Sequence, residues 1–355
     1  MGRALREART LVRLLAEPER AAEVRDWTSI LCVARAESLL GSLAFRVQGQ
    51  PLPPEVERLL ADTRRDSEAV RVQALWEAEM ARRALSPAGI AVILLKGTAY
   101  AAAGLDAAQG RSIGDLDILV PRQSLPQAER ALLAAGWEWV KEDAYDDLYY
   151  RKWMHELPPL IHRERDRMID VHHTILPLTA RPAPDAEAMV EASLELEDGL
   201  RVLSPPDMIV HAAAHLFADG DLAGGLRNLW DIDRLLRQFA PDPGFWQALS
   251  GRADLHQLRP AVARALRLAA RLYFTPVDRA LAGAIRPSDL LFERRLLARD
   301  GWGRARRPAV RLAFYARSHW LRMPPPMLAR HLWVKWRKGR VRTSPPTSLA
   351  GTAAE

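Results

Sequence analysis

Leu94-Leu95-Lys96-Gly97-Thr98 and, further on, Arg111-Ser112-Ile113-Gly114-Asp115-Leu116-Asp117-Ile118-Leu119-Val120 decide how this chain reads. The apolar run 90–95 has the length of a buried strand, and Lys96-Gly97-Thr98 turns it into the small helix formers of 99–103. The second stretch is a strand entered through two acids. Residues i and i+2 of a strand face the same way, which predicts Asp115 and Asp117 side by side. Adjacent carboxylates repel unless a positive charge lies between them, and a divalent cation supplies one. Mg²⁺ is typically held by one or two carboxylates together with substrate phosphates. Backbone N–H groups where Gly97-Thr98 opens a helix suit those phosphates. The pattern points to a metal–nucleotide site. Asp-x-Asp and Lys-Gly-Thr are each common alone; their order, in a strand–turn–helix setting, carries the reading.

In that order the residues resemble the nucleotidyltransferases of the DNA polymerase β-like superfamily. The signature there is a Gly-Ser or Gly-Gly turn, a short helix, an Asp-x-Asp strand and a third acid on a later strand. Gly97-Thr98 stands for the turn, with Thr98 keeping the hydroxyl, and Asp115-Leu116-Asp117 for the acidic pair. Asp170, within Arg167-Met168-Ile169-Asp170-Val171-His172-His173, stands for the third acid. Leu95-Lys96-Gly97, the 111–117 block and Ile169-Asp170-Val171-His172 are together similar to a family of bacterial uncharacterised nucleotidyltransferases, over roughly residues 25–240.

The resemblance implies an α+β fold: a small mixed-sheet nucleotidyltransferase core embedded between N-terminal and C-terminal helical regions. It implies Mg²⁺-dependent transfer of a nucleotidyl group from an NTP such as ATP to an acceptor hydroxyl, with release of pyrophosphate; Mn²⁺ is the alternative ion. Asp115, Asp117 and Asp170 are then the catalytic and metal-holding acids, with Asp170 helping to deprotonate the attacking hydroxyl. Gly97 and Thr98 bind phosphates, assisted by Lys96 or Arg111; Ser112 and His172 complete the expected nucleotide contacts. The acceptor is open among a small molecule, a peptide or protein side chain and an RNA end.

Residues 1–86 carry helical apolar periodicity, broken at Pro51-Leu52-Pro53-Pro54, with a long amphipathic helix over 55–86. The α/β core is expected over 87–180. It contains strand 90–95, helix 98–104, strand 115–120 and helix 124–135, with Ser124 as N-cap and Gly136 as stop. Short strands follow at 137–141, 147–152 and 158–162, then the Asp170 strand at 167–173. The small, polar segment 105–110 suits a mobile loop over the site. Residues 181–300 read as a C-terminal helical domain, with helices starting at Pro205 and near Gly225. Residues 301–340 form a basic, aromatic-rich segment, and 341–355 a disordered tail.

Within the helical part, His211 and His215 lie four apart on one helix face. Ala212 follows the first, so the zinc-protease pattern lacks its glutamate, and lining the cleft is the expected role. Arg227 and Asp231 share a face as an i,i+4 ion pair.

The chain of 355 residues has 48% hydrophobic and 27% charged residues, ordinary for a core-forming protein. A single cysteine, Cys32, excludes a disulfide framework and a cysteine-rich zinc site. The absence of an N-terminal apolar region and of any membrane-length run makes a cytoplasmic protein the expectation, peripheral at the membrane at most. The net charge is +7, yet 301–340 holds eleven Lys/Arg and no acid, which leaves residues 1–300 at −4. That segment interleaves Arg304, Arg306, Arg307 and Arg311 with Phe314, Tyr315, Trp320, Trp333, Trp336 and Lys338. It fits an anionic membrane surface, a nucleic acid, or a helical cap with its aromatics turned inward. Rival readings are a degenerate fold that binds a nucleotide without turnover, an adaptor acting through 301–340, and a phosphotransferase moving the γ-phosphate.

Overall fold

The computed structural model describes residues 5–140, 144–322 and 328. The fold is α+β. Its sheet has seven strands: β1 (Ile93–Leu94), β2 (Leu116–Leu119), β3 (Trp137–Trp139), β4 (Leu160–His162), β5 (Met168–His172), β6 (Leu194–Glu195) and β7 (Arg201–Val202), in the order β3-β4-β5-β2-β1-β7-β6. β2 runs parallel to β5 and antiparallel to β1, and β1 runs parallel to β7. All four residues of β2 are buried, as expected of a strand covered on both faces, and Asp117 is the one charged residue among them. The last two strands lie beyond residue 180, so the sheet takes in chain that the sequence assigned to the helical part.

Four helices precede the sheet: α1 (Arg6–Ala16), α2 (Trp27–Ala36), α3 (Leu40–Arg46) and α4 (Pro54–Leu85). The 32-residue α4 packs against α3, β2 and two helices of the core, α5 (Lys96–Ala102) and α6 (Leu125–Ala134). After α7 (Ala144–Trp153) and α8 (Ala186–Glu191) come α9 (Pro205–Ala213), α10 (Gly225–Phe239), α11 (Phe245–Leu255), α12 (Arg259–Tyr273), α13 (Arg279–Ala282), α14 (Pro287–Leu296) and α15 (Pro308–Arg322). α9 runs directly into a π-helical stretch, Ala214–Asp219. The N-terminal helices pack against the C-terminal ones: α1 lies on α12, Arg9 pairs with Glu293 of α14, and Arg299 Nε donates to the buried Glu37 at 2.6 Å.

Three local expectations need correction. Residues 147–152 are not a strand but part of α7. Arg151 bonds Asp147 four residues back at 2.7 Å and forks onto Glu129 of α6 at 2.7 and 2.9 Å, and this docking outweighs the β-preference of Tyr149 and Tyr150. Segment 105–110 is pinned rather than free over the site. Ala107 is fully buried, Ser42 Oγ donates to Gln109 O at 2.8 Å, and a Cβ on Gly41 or Gly110 would strike the other's backbone. Gly110 also has φ +64°, a conformation that favours glycine. Ser124 holds the N-cap position of α6 as expected, but it ends a 3₁₀ turn, Arg122–Ser124, and its side chain does not supply the cap bond.

Buried carboxylates tie the helices together. Asp289 is fully buried and accepts from Arg264 Nε at 3.0 Å, Arg267 Nε at 2.6 Å and the Arg286 N–H at 2.9 Å. Removing one member of such a group strands a buried charge, here Arg267. Asp289→Ala is therefore expected to cost about 3–5 kcal/mol of stability, read as a shift of the urea midpoint.

α15 docks through Phe314, whose ring meets Phe292 edge-on at 4.9 Å, and through Arg317, which donates to Phe217 O at 2.6 Å. Leu312, Tyr315 and Trp320 of this helix are exposed. Residues 323–327 and 329–355, among them Trp333, Trp336 and Lys338 and the whole 341–355 tail, lie outside the described residues. Among the described residues, no helix is long and apolar enough to cross a membrane.

Candidate active site

The parallel pairing of β2 with β5 sets Asp117 opposite Asp170 in register, and two residues on, Leu119 opposite His172. Two carboxylates thus sit on neighbouring strands, with the imidazole of His172 beside them. Among the described residues, both bonds accepted by the Asp117 carboxylate fall on Oδ1, from Lys96 Nζ at 2.6 Å and from His172 Nε2 at 3.0 Å. Burial alone would raise the Asp117 pKa, but Lys96 and His172 more than offset it and hold the carboxyl far below its usual range. Lys96 is charged in turn: burial opposes it, and Asp117, with Asp170 and Glu156 behind, keeps its pKa above the ordinary lysine value.

Asp170 goes the other way. Burial first, then the charges of Asp117 and Glu156, push its pKa up to about 7, against the smaller pull of His172 and Lys96. Paired carboxylates whose environments drive their titrations apart are what a site for a cation or for proton transfer looks like.

Lys96 opens α5 with φ +49°, a left-handed conformation that costs a non-glycine residue energy and aims its side chain back at β2. Gly97 is needed for space: a Cβ there would collide with the side chain of Arg111, which crosses over the turn. The Arg111 guanidinium is ion-paired with Asp231 of α10 and lies 5.6 Å from the Tyr100 ring. Among the described residues its Nε, buried next to Gly97, has no hydrogen-bond partner. Thr98 is buried and Ser112 is exposed. Asp115 lies in the bend just before β2, exposed, so the alternation rule does not fix its direction. It lines a narrow crevice with Gln73, Glu77, Thr98 and Arg167.

Several contributors come from far along the chain. Asp231 accepts from Arg227 Nε at 3.0 Å as well as from Arg111, so the i,i+4 pair read in the sequence is half of a three-residue bridge between α10 and the turn. His211 and His215 line a cavity of about 40 Å³ together with Lys96, Tyr100, Arg111 and Asp231. Burial depresses both imidazoles, His211 well below its ordinary value and His215 to about 3, and the Lys96 charge adds to each shift. They enter the site as neutral groups. The π-helical stretch in which His215 sits is an irregularity common at functional sites.

His155 and Glu156 were not singled out from sequence. Glu156 forms an isolated antiparallel bridge with His172, which brings the 155–157 segment alongside β5. The His-Glu doublet before a strand carrying Asp-x-His was the available signal, but nothing local announces that bridge.

The sequence model of the family described as "Uncharacterised nucleotidyltransferase" matches residues 23–274, an interval that holds the whole sheet and every site residue named above. No curated protein matches the chain. The match covers well over half of the sequence, and the chain belongs to the uncharacterised nucleotidyltransferase family.

Proposed function

We propose that this family member, a transferase of nucleotidyl groups, moves an NMP from an NTP to an acceptor hydroxyl and releases pyrophosphate, with Asp115, Asp117 and Asp170 holding Mg²⁺ or Mn²⁺. The observation that carries the reading is the in-register pair Asp117–Asp170 on adjacent parallel strands, one fully ionised and the other titrating at about 7. Carboxylate oxygens are hard donors that suit Mg²⁺, and a pair whose second member resists ionisation is short of positive charge. The residues fit the group. When bound, such an ion polarises the phosphoryl oxygens and stabilises the charge that develops on attacking and leaving oxygens.

The other roles follow from placement. Lys96 keeps Asp117 ionised and presents a cation beside the phosphates. Arg111 Nε, a buried donor without a partner over the Gly97 turn, is placed to meet a phosphate oxygen, while Asp231 holds the guanidinium in position. Asp170, in register with Asp117 and beside the ion, is placed to help take the proton of the acceptor hydroxyl. His172 orients Asp117. Gly97 gives Arg111 its space, and Thr98 and Ser112 flank the turn and the loop that enters β2.

The test is product analysis with α- and γ-labelled NTPs and pooled small-molecule, protein and RNA acceptors. Transfer of the α-label with release of pyrophosphate supports the reading, whereas transfer of the γ-label alone makes the protein a phosphotransferase. Lys96→Ala removes a charge-assisted contact worth about 1.5–3 kcal/mol, so NTP affinity is expected to fall about 10–100-fold in isothermal titration.

A further inference from the structure

We propose that His155, Glu156 and His172 form a second metal site, one that binds Zn²⁺ beside the carboxylate pair rather than in it. Among the described residues, these three side chains bring one ligand atom each within 4.8 Å of one another. Glu156 Oε2 lies 3.4 Å from His172 Nδ1 and 3.7 Å from His155 Nε2. Ligands at about 2.0–2.2 Å from a tetrahedral Zn²⁺ are about 3.3–3.6 Å apart, so both Glu156 distances are close to a zinc shell, and the two imidazole nitrogens, within 4.8 Å of each other, complete it by drawing together.

The hydrogen bonding fits a metal as well. A carboxylate can only accept, so the bond to Asp117 Oδ1 puts the His172 proton on Nε2 and leaves the lone pair of the neutral ring on Nδ1, facing Glu156. Carboxylate–histidine–metal is the usual support for a ligating imidazole, with the far ring nitrogen donating to an acid. The ring of His155 stacks on that of His172, 5.2 Å between centroids and 27° between planes. Among the described residues its Nδ1 is buried without a hydrogen-bond partner, so no bond in the fold fixes which nitrogen of this ring carries the proton, and Nε2 is left to face Glu156.

The donor set decides the ion. Two imidazoles and one carboxylate suit Zn²⁺ and its neighbours, whereas Mg²⁺ prefers an all-oxygen shell. With three protein ligands the fourth position stays open. The ion would fasten the 155–157 segment to β5 and, through His172, fix the carboxylate of Asp117. Zn²⁺ occupancy would thereby set the geometry of the neighbouring Mg²⁺–nucleotide site.

The full-length protein, stripped with a chelator, is titrated with ZnCl₂ in excess Mg²⁺ and its metal content measured after gel filtration. One tightly held Zn²⁺ per chain is expected, lost in His155→Ala and in Glu156→Gln. Both variants should melt like the parent in chelator, so that a failure to fold is not read as a failure to bind. Asp117→Asn should weaken the site about 10–100-fold, and Asp170→Asn should leave it intact. The proposal is overturned if the wild type takes up no stoichiometric Zn²⁺, if both ligand variants keep it, or if Asp170→Asn removes it. The last result would place the ion in the carboxylate pair. None of these readouts requires an NTP, so this idea and the transferase reading can fail separately.

Discussion

Asparagine at position 117 is expected to reduce nucleotidyl transfer by about 10³-fold or more while leaving the fold in place. The substitution is nearly isosteric, and the amide oxygen can still accept from Lys96. What disappears is the negative charge, and with it the centre of the local electrostatics. Metal stabilisation of a transferring phosphoryl group is worth several kcal/mol, and each 1.36 kcal/mol is a factor of ten in rate. The change has a second consequence. The Asp117 charge is, after burial, the largest contribution holding Asp170 near 7, so removing it should lower the Asp170 titration toward the ordinary carboxylate range. Initial rates with the transferred α-label, circular dichroism and the Asp170 carboxyl titration by NMR check the three parts. Wild-type turnover in a folded Asp117→Asn protein contradicts the assignment.

Asp170→Asn is expected to inactivate the enzyme and at the same time to make the metal-free protein more stable at neutral and alkaline pH. The sign follows from linkage. A carboxyl whose folded pKa is about 7 binds its proton more tightly folded than unfolded, where it titrates at about 4. Between those values the folded state holds more protons, so its stability falls as pH rises and levels off above about 7. A shift of about three units corresponds to at most about 4 kcal/mol, reduced by the solvent that Asp170 retains. Melting curves in chelator should therefore coincide for wild type and variant near pH 4. By pH 8 the variant should melt several degrees higher. Mg²⁺ should narrow that gap, because a cation gives the wild-type carboxylate the partner it lacks. Parallel curves at every pH would mean that Asp170 is not strained in this way.

How much of this could be read from the chain depends on the range of each interaction. The strand–turn–helix around Lys96-Gly97-Thr98, the β2 strand and the Asp170 strand are set by apolar runs and small residues close in sequence, and they form where the pattern puts them. Asp115 shows the limit of the alternation rule: β2 begins at Leu116, one residue too late to govern it. The register that sets Asp117 against Asp170 is a pairing across more than fifty residues, guessed from a motif and not derivable from periodicity. Arg111, expected at the phosphates, is also ion-paired with Asp231, a partner 120 residues away that no local pattern announces. β7 was missed because two residues, Arg201 and Val202, carry no strand signal until β1 lies next to them. Helix 144–153 was misread for the opposite reason. Its aromatic residues favour strands, but the ion pairs of Arg151 with Asp147 and with Glu129 of α6 favour a helix.

The most direct measurement is the thermal shift of the purified protein with each of the four NTPs, with and without Mg²⁺, beside Asp117→Asn. The expected result is a Mg²⁺-dependent rise in melting temperature for at least one NTP, absent in the variant; that pattern would also name the donor. No shift with any NTP, or an equal shift in Asp117→Asn, would contradict a metal–nucleotide site built on the β2–β5 carboxylates.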